Sequence, residues 1–461
     1  MKRLPMTTQY ALLLSLLLFN GYAKADVKSS VELEEEVYAY TPADNGAGPM
    51  WCRGNTCIVR SGARVFASGL QTLSAAKPLN NCVPLLFFRD QHRWQRVYQG
   101  RDRTREPSPL ALSTNGRILL SVNPTIAPHD AYNGPAQPQI LAFSTMDPNS
   151  DYQTILPQWQ GTPRFTEHSY RSFAADGVNN EVILFQNIGY KHAEWAFYDR
   201  QGQWSAQGQI EWPWGADYDE PQHARICYPT VALHNRAVYF CGVSDIIEPY
   251  KTWRDYKFTL TGRKWDYDFR RLFFTWTDDI TTKPFQAWIE IASRDQTCGW
   301  LSPQDLYVAP NGDVLVLWTE RALDDRLREA FFPKAKQRYS LELAVVRRGK
   351  ILRRVTLLQG GDGLGPKRPG DARFHVTDEG RLFVFGYMSD RAPAHTGNYI
   401  MELKTDGTHQ SPQSVTLERP LSRFFTATPR AGNQPSPLLD VLGDANRTMR
   451  YVRITIDGRD D

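Results

Sequence analysis

Apolar and polar residues alternate along this chain in short runs, and the runs come in pairs around a turn residue. One pair reads Cys57-Ile-Val-Arg-Ser-Gly62-Ala-Arg-Val-Phe66. Others are centred on Gly116 (Leu112 to Leu120), Gly177 (Phe173 to Phe185), Asn235 (Pro229 to Phe240), Gly312 (Leu306 to Val316) and Gly380 (Phe374 to Val384). A seventh runs from Leu439 through Gly443 to Ile454. Period-two alternation about Asn-Gly, Asp-Gly or Glu-Gly is the local signature of a β-hairpin. The turns recur at intervals of roughly sixty residues, enough for a four-stranded blade with outer loops. The pattern predicts an all-β chain folded as one seven-bladed β-propeller, with loops from every blade converging on a funnel at the axis.

Little else competes with strands. Residues 26–50 are acidic and then rich in Pro and Gly, which suits a linker or a strand that closes the ring, and the propeller itself is expected over 51–461. A helix is expected over Leu323–Phe332, where apolar residues fall at helical spacing before Pro333. Pro124 to Pro138 and Gly360 to Gly370 read as loops. The widest interval, between Asn235 and Gly312, holds Glu248 to Tyr256 and Trp265 to Trp276, and extra length in one blade is where specificity is expected.

Lys2 and Arg3, the apolar run Ala11 to Phe19 and the small-x-small Ala23-Lys-Ala25 read as a signal peptide over 1–25. The run is far short of the ~20 residues that span a bilayer. No membrane span is expected, and the protein should be exported to a bacterial periplasm or beyond. The net charge of +4 is small and spread along the chain, so no nucleic-acid footprint is indicated. A local basic cleft for an acidic polysaccharide is compatible with it, and a monomer is expected. The 13 Trp and 21 Tyr suit both packing between blades and stacking on sugars.

Six Cys in an exported chain suggest disulfides. Cys227 and Cys241 are equidistant from His234, which predicts a cross-strand bridge, and one pair is expected among Cys52, Cys57 and Cys82. The competing arrangement gathers His223, Cys227, Cys241 and Cys298 around a structural Zn²⁺. No cofactor is certain. A structural Ca²⁺ is the other possibility, although no Asp-rich loop of standard spacing occurs.

The third repeat holds the best constellation for chemistry. His168-Ser-Tyr170-Arg171 enters its hairpin and Tyr190-Lys-His192 leaves it, so both should emerge at one end. This stretch resembles the polysaccharide lyases of the ulvan-lyase type, seven-bladed propellers of the wider BNR-like repeat group. In that family a His begins a strand, an Asp-Gly turn follows and a second His ends the return strand, matching His168, Asp176-Gly177 and His192. The next blade opens with a Tyr-Pro pair whose Tyr is catalytic, matching Tyr228-Pro229. The family then places an Arg at the end of the return strand, where this sequence reads Val238-Tyr-Phe-Cys-Gly-Val-Ser244. Arg254 or Arg225 would have to take its place. The resemblance covers roughly residues 160–320.

It implies β-elimination on a uronic acid. Removing the proton beside a carboxylate requires that charge to be neutralised and a base that works near neutrality. The assignment is His168 or His192 as base, Tyr228 as acid, and Arg254 or Arg171 as neutraliser. Trp253 and Tyr256 would stack on sugar faces, with Tyr170, Tyr190, His223 and Arg225 around them. Two alternatives stay open. A sialidase-like glycoside hydrolase would use paired carboxylates, drawn from Asp217, Asp219 and Glu220 or from Asp266 and Asp268. A non-catalytic carbohydrate-binding propeller would need neither set.

Overall fold

The computed structural model describes residues 28–392 and 395–457, so the expected signal peptide lies outside the described residues. The chain folds as a seven-bladed β-propeller in a single domain. Blade 1 consists of Ile58–Ser61, Arg64–Thr72, Cys82–Arg89 and Trp94–Gln99. Blade 2 runs from Leu110–Ser113 to Gln153–Ile155, and blade 3 from Ser172–Asp176 to Trp204–Glu211. Blade 4 pairs Ile226–His234, Ala237–Ser244, Arg271–Thr277 and Ile289–Ser293. Blades 5 and 6 begin at Trp300–Val308 and Arg368–Val376. Blade 7 takes Phe424–Thr426, Leu438–Ala445 and Thr448–Ile456, and its outermost strand is Ser29–Ala39 from the other end of the chain. That antiparallel pairing ties the chain's two ends into one sheet and closes the ring.

The inner strands are apolar on both faces because both faces are covered. Each junction between neighbouring blades holds its own apolar cluster. Between blades 3 and 4, for example, Ile183, Phe185 and Phe197 meet Ile226, Val231 and Phe240, and the next cluster joins Cys241, Leu272 and Phe274 to Leu301, Val316 and Trp318. In the first six blades the sequence-marked turns join the first strand to the second. They define one face of the disc, the lower face. The upper face carries the entries to the first strands and the loops between second and third strands.

Several expectations change. In blade 7 the repeated hairpin joins the second strand to the third, turning at Asn446 and Arg447, both left-handed. The helix expected over 323–332 shrinks to α2, Arg328–Phe331. Upstream, Asp324 accepts from the Arg326 N–H and side chain, a local turn that competes with helix. Among the described residues a longer helix, α1, spans Lys251–Thr261 in the widest interval between repeats, and the residue it buries is Lys257. The Cys227–Cys241 bridge does not form. A bulge at Tyr228-Pro229 pairs Cys227 with Val243 and Cys241 with Thr230, and all six Cys are buried thiols. Cys52 and Cys57 come closest, at 3.6 Å between sulfurs. The zinc set is not assembled either, since His223 Nδ1 contacts the Trp212 carbonyl and Cys298 Sγ contacts Arg270. Among the described residues no three His, Cys, Asp or Glu are grouped to hold a metal.

The axis is not a funnel. From the lower side the segment 428–433 enters it, with Leu112 N donating to the Ala431 carbonyl at 2.7 Å and Ala175 N to that of Arg430 at 2.8 Å. From above comes the strap 49–56, where Asn55 bonds the backbone of Arg171 and Phe173. Arg430 joins the two halves, bonded to Asp305 at 2.6 Å and to the carbonyls of Gly54 and Val231 at 3.1 Å. One side chain reaches blades 4 and 5 and the strap only at the centre, so Arg430 plugs the channel. Arg373 and His375 are buried in blade 6.

Candidate functional site

With the axis filled, the upper face offers its chemistry off-centre, over blades 3 and 4. The bulge that separates the cysteines also throws Tyr228 out of the ladder with φ +47°, and Tyr170, entering blade 3, has φ +40°. Left-handed tyrosines are strained, and such strain persists where the surroundings over-determine it, often at functional sites. Both rings face Trp51, which the strap delivers through tight turns at Gly48 and Cys52. Trp51 stacks on Tyr170 with centroids 4.7 Å apart and meets Tyr228 edge-on at 5.7 Å. His168 completes the cluster, 4.5 Å from the Tyr170 ring and 5.5 Å from Trp51.

His168 has a carboxylate behind it. Its Nδ1 lies 3.2 Å from Glu106 Oε1, and Glu106 also accepts from Ser169 N at 2.8 Å and Ser169 Oγ at 2.5 Å. Burial pushes Glu106 up, but the bond to His168, with Arg171 and Ser169 nearby, holds it below the usual carboxylate range. Glu106 therefore stays ionised and accepts from Nδ1–H, leaving the Nε2 lone pair for a ligand. Tyr228 is shifted the other way. Burial, then neighbouring Cys227, raises its phenol, and Arg53 pulls it back only in part. A phenol kept protonated is suited to donating.

Two arginines flank the rings, in unlike states. Arg225 is buried against Asp245, with Nη2 at 2.6 Å. Its guanidinium lies 4.0 Å from the Tyr190 centroid and 5.7 Å from that of Tyr267. Arg53, from the strap, sits 5.9 Å over the Tyr228 ring, and among the described residues it has no ion-pair partner. Trp51, Arg53 and Tyr228 line a cleft of about 300 Å³ that runs on to Tyr40, Arg423 and Asp444. On the opposite side Tyr228 faces Phe269, which packs on Trp300 at 4.5 Å.

Of the residues singled out from sequence, His168, Tyr170, Tyr190, Arg225 and Tyr228 come together. His192 does not join them. It pairs across from Ile188 on the far side of an intervening strand, and its Nε2 contacts Glu194 at 3.1 Å. Arg171 is buried on the carbonyls of Ser121 and Pro107, which leaves it no route to a ligand. His223 lies edge-on to Trp214. Arg254 bonds the Glu248 carbonyl, while Trp253 and Tyr256 pack α1 onto Phe332 and Phe331 of the α2 segment. Three of the carboxylates considered for hydrolysis are engaged: Asp219 accepts from Lys251 N, Asp266 pairs with Arg326 and buried Asp268 lies against Arg270. Trp51, Arg53, Glu106, Phe269 and Trp300 were not singled out. Their nearness to Tyr228 comes from the ring, and no local spacing reports it.

The sequence matches no protein-family model and no curated protein. Among solved structures, the chain is similar to the BP39L lectin from Burkholderia pseudomallei, with TM-score 0.53, 9% identity and coverage of 87% of this chain and 96% of that one. It is also similar to the polysaccharide lyase Uly1, with TM-score 0.52, 11% identity and 92% of each chain covered. At these identities the likeness is one of fold, and it places the chain among propellers that include a lectin and a polysaccharide lyase.

Proposed function

We propose that the chain is an exported carbohydrate-active protein that cleaves a uronic-acid-containing polysaccharide by β-elimination at Tyr228. The observation that carries this reading is the grouping of an imidazole backed by a carboxylate, a protonated phenol and an unpaired guanidinium around one aromatic floor. Arg53 pairs with the uronate carboxylate and lowers the cost of the charge that develops beside it. His168 Nε2 takes the C5 proton. The electrons of that C–H bond form the C4–C5 double bond, the C4–O4 bond breaks, and Tyr228 gives its proton to the leaving oxygen. Arg53 thus takes the place first given to Arg254 or Arg171. Glu106 is a positioning residue, fixing the tautomer and the ring of His168.

The similarity to Uly1 supports this reading, and that to the BP39L lectin supports a binding-only alternative resting on the same aromatic floor. Running the reaction on a uronan in heavy-oxygen water separates the chemistries. Elimination leaves a C4–C5 double bond and a new reducing end whose oxygen comes from the polymer, whereas hydrolysis puts a water oxygen there, a difference read before the hemiacetal exchanges with solvent. Intact polymer that is nonetheless retained by the protein would mark a lectin.

A further inference from the structure

The strap that brings Trp51 and Arg53 to Tyr228 carries two thiols, Cys52 and Cys57, which the proposed chemistry does not use. Cys57 is anchored to blade 1, where its carbonyl accepts from Ser68 N at 2.9 Å just before the first strand. Cys52 lies in the turns of the strap, and its carbonyl accepts from Asn55 N at 3.0 Å. The two sulfurs are 3.6 Å apart. That is van der Waals contact, so the side chains already point at each other, as a bridge requires. Both are buried in one apolar cluster with Met50, Val65 and Leu442. The other thiols have different neighbours. Cys82 Sγ meets Asn45 at 3.7 Å and Cys298 Sγ meets Arg270 at 2.9 Å, while Cys227 and Cys241 stand opposite Val243 and Thr230.

The residues between the pair serve both the site and the axis. Arg53 sits over the Tyr228 ring, and the Gly54 carbonyl accepts from Arg430. Asn55 bonds the backbone of Arg171 and Phe173, and Thr56 Oγ1 donates to the Thr426 carbonyl at 2.7 Å. This stretch belongs to no strand or helix, so scattered bonds alone hold Arg53 in place. A bond between the sulfurs would close Arg53 to Thr56 into a short ring fixed to blade 1.

We propose that Cys52 and Cys57 are a redox latch: a disulfide-class oxidant joins them and fixes the strap over Tyr228, and reduction frees it. One thiolate of the pair attacks a sulfur of oxidised glutathione or of an oxidised dithiol, breaking the donor's S–S bond and forming a mixed disulfide. The second thiolate then breaks that mixed bond and forms the Cys52–Cys57 bond. The chain gives up two electrons and two protons, and the donor takes them up as two thiols. In the folded chain the contact with Cys57, then burial, holds the Cys52 thiol well above its usual range. Exchange therefore belongs to the chain before the strap docks, or to its local opening. The latch itself is independent of what the site binds, and only its consequence for Arg53 rests on the site reading above.

The test compares one chain in two redox states. The full chain is refolded from denaturant in oxidised or in reduced glutathione, and each sample is divided between alkylation with tryptic mass spectrometry and amide hydrogen exchange. In the oxidised sample Cys52 and Cys57 should escape alkylation, and cleavage after Arg53 should release them on two peptides joined by a disulfide. The amides of Trp51, Arg53 and Asn55 should exchange about tenfold more slowly there than in the reduced sample, while those of blade 6 exchange alike in both. Alkylation of all six thiols after oxidative refolding overturns the proposal. So does a bridge from either cysteine to Cys82, or a Cys52–Cys57 bridge that leaves exchange of the strap unchanged. Neither readout involves turnover. A chain that shows both and eliminates no uronan refutes the lyase reading and keeps the latch, and an eliminating chain without the bridge does the reverse.

Discussion

The two faces of the disc carry cavities of similar make but opposite state. The lower one is larger, about 440 Å³ against 300 Å³ above, and it also holds an arginine, an aspartate and a histidine. There, however, each group is consumed by another. Arg60 forks onto both oxygens of Asp440, Tyr451 donates to the same carboxylate, and His375 Nε2 contacts the Ser436 carbonyl at 2.8 Å. Above, Arg53 and Arg423 have no ion-pair partner among the described residues, and two tyrosines are held in left-handed backbone. Cavity size is thus a poor guide in this molecule. What marks the upper cleft is polar capacity left unspent, since a buried polar network that satisfies itself adds rigidity and has nothing to offer a ligand.

If the faces differ in this way, substitutions on each should register in different measurements. The largest effect is expected above: His168→Ala should lower turnover on a uronan by about 10²–10⁴-fold, and Tyr228→Phe should act similarly without loss of the ring. Neither should move the thermal midpoint as far as an axial change does. At the axis the order reverses. Arg430→Ala leaves Asp305 buried and unpaired, which should cost about 3–5 kcal/mol in denaturant unfolding, and whatever fraction still folds should keep its turnover number.

A smaller effect separates the faces by pH. Burial lowers His375 from 6.5 to about 4. A group with a depressed folded pKa that must be neutral in the fold contributes stability above 6.5, and that contribution is lost as the pH falls from 6.5 through about 4. His375→Phe should flatten this part of the acid stability profile and leave the pH dependence of turnover as it was. If the turnover profile moved as well, the lower face would be coupled to the chemistry and the contrast would fail. The smallest effect is expected on the side where Tyr228 faces Phe269, and there Trp300→Ala should weaken oligosaccharide binding by about three- to tenfold without changing its salt dependence.

What could be read from sequence follows the range of the interactions. The inner hairpins of the first six blades were legible because a turn and its two strands are adjacent in the chain. His168 and Tyr170 were legible because they enter one hairpin together, and Tyr228 through the Tyr-Pro pair that carries the family resemblance. Glu106 was not, being 62 positions from the imidazole it holds, and Trp51 and Arg53 were not, because the strap reaches Tyr228 only through closure of the ring. Arg171 illustrates the converse. Its place beside Tyr170 in sequence suggested a site residue, but strand alternation turns it inward onto backbone carbonyls. The Cys227–Cys241 expectation failed on a single bulge, the same distortion that exposes Tyr228.

The most direct test of the account is the absorbance of unsaturated uronate while the purified chain acts on polygalacturonate and on other uronic-acid polymers. The account predicts a rise on at least one of them that disappears in His168→Ala and persists in His192→Ala. Reducing ends released without that absorbance, or a rise that survives in His168→Ala, would contradict it.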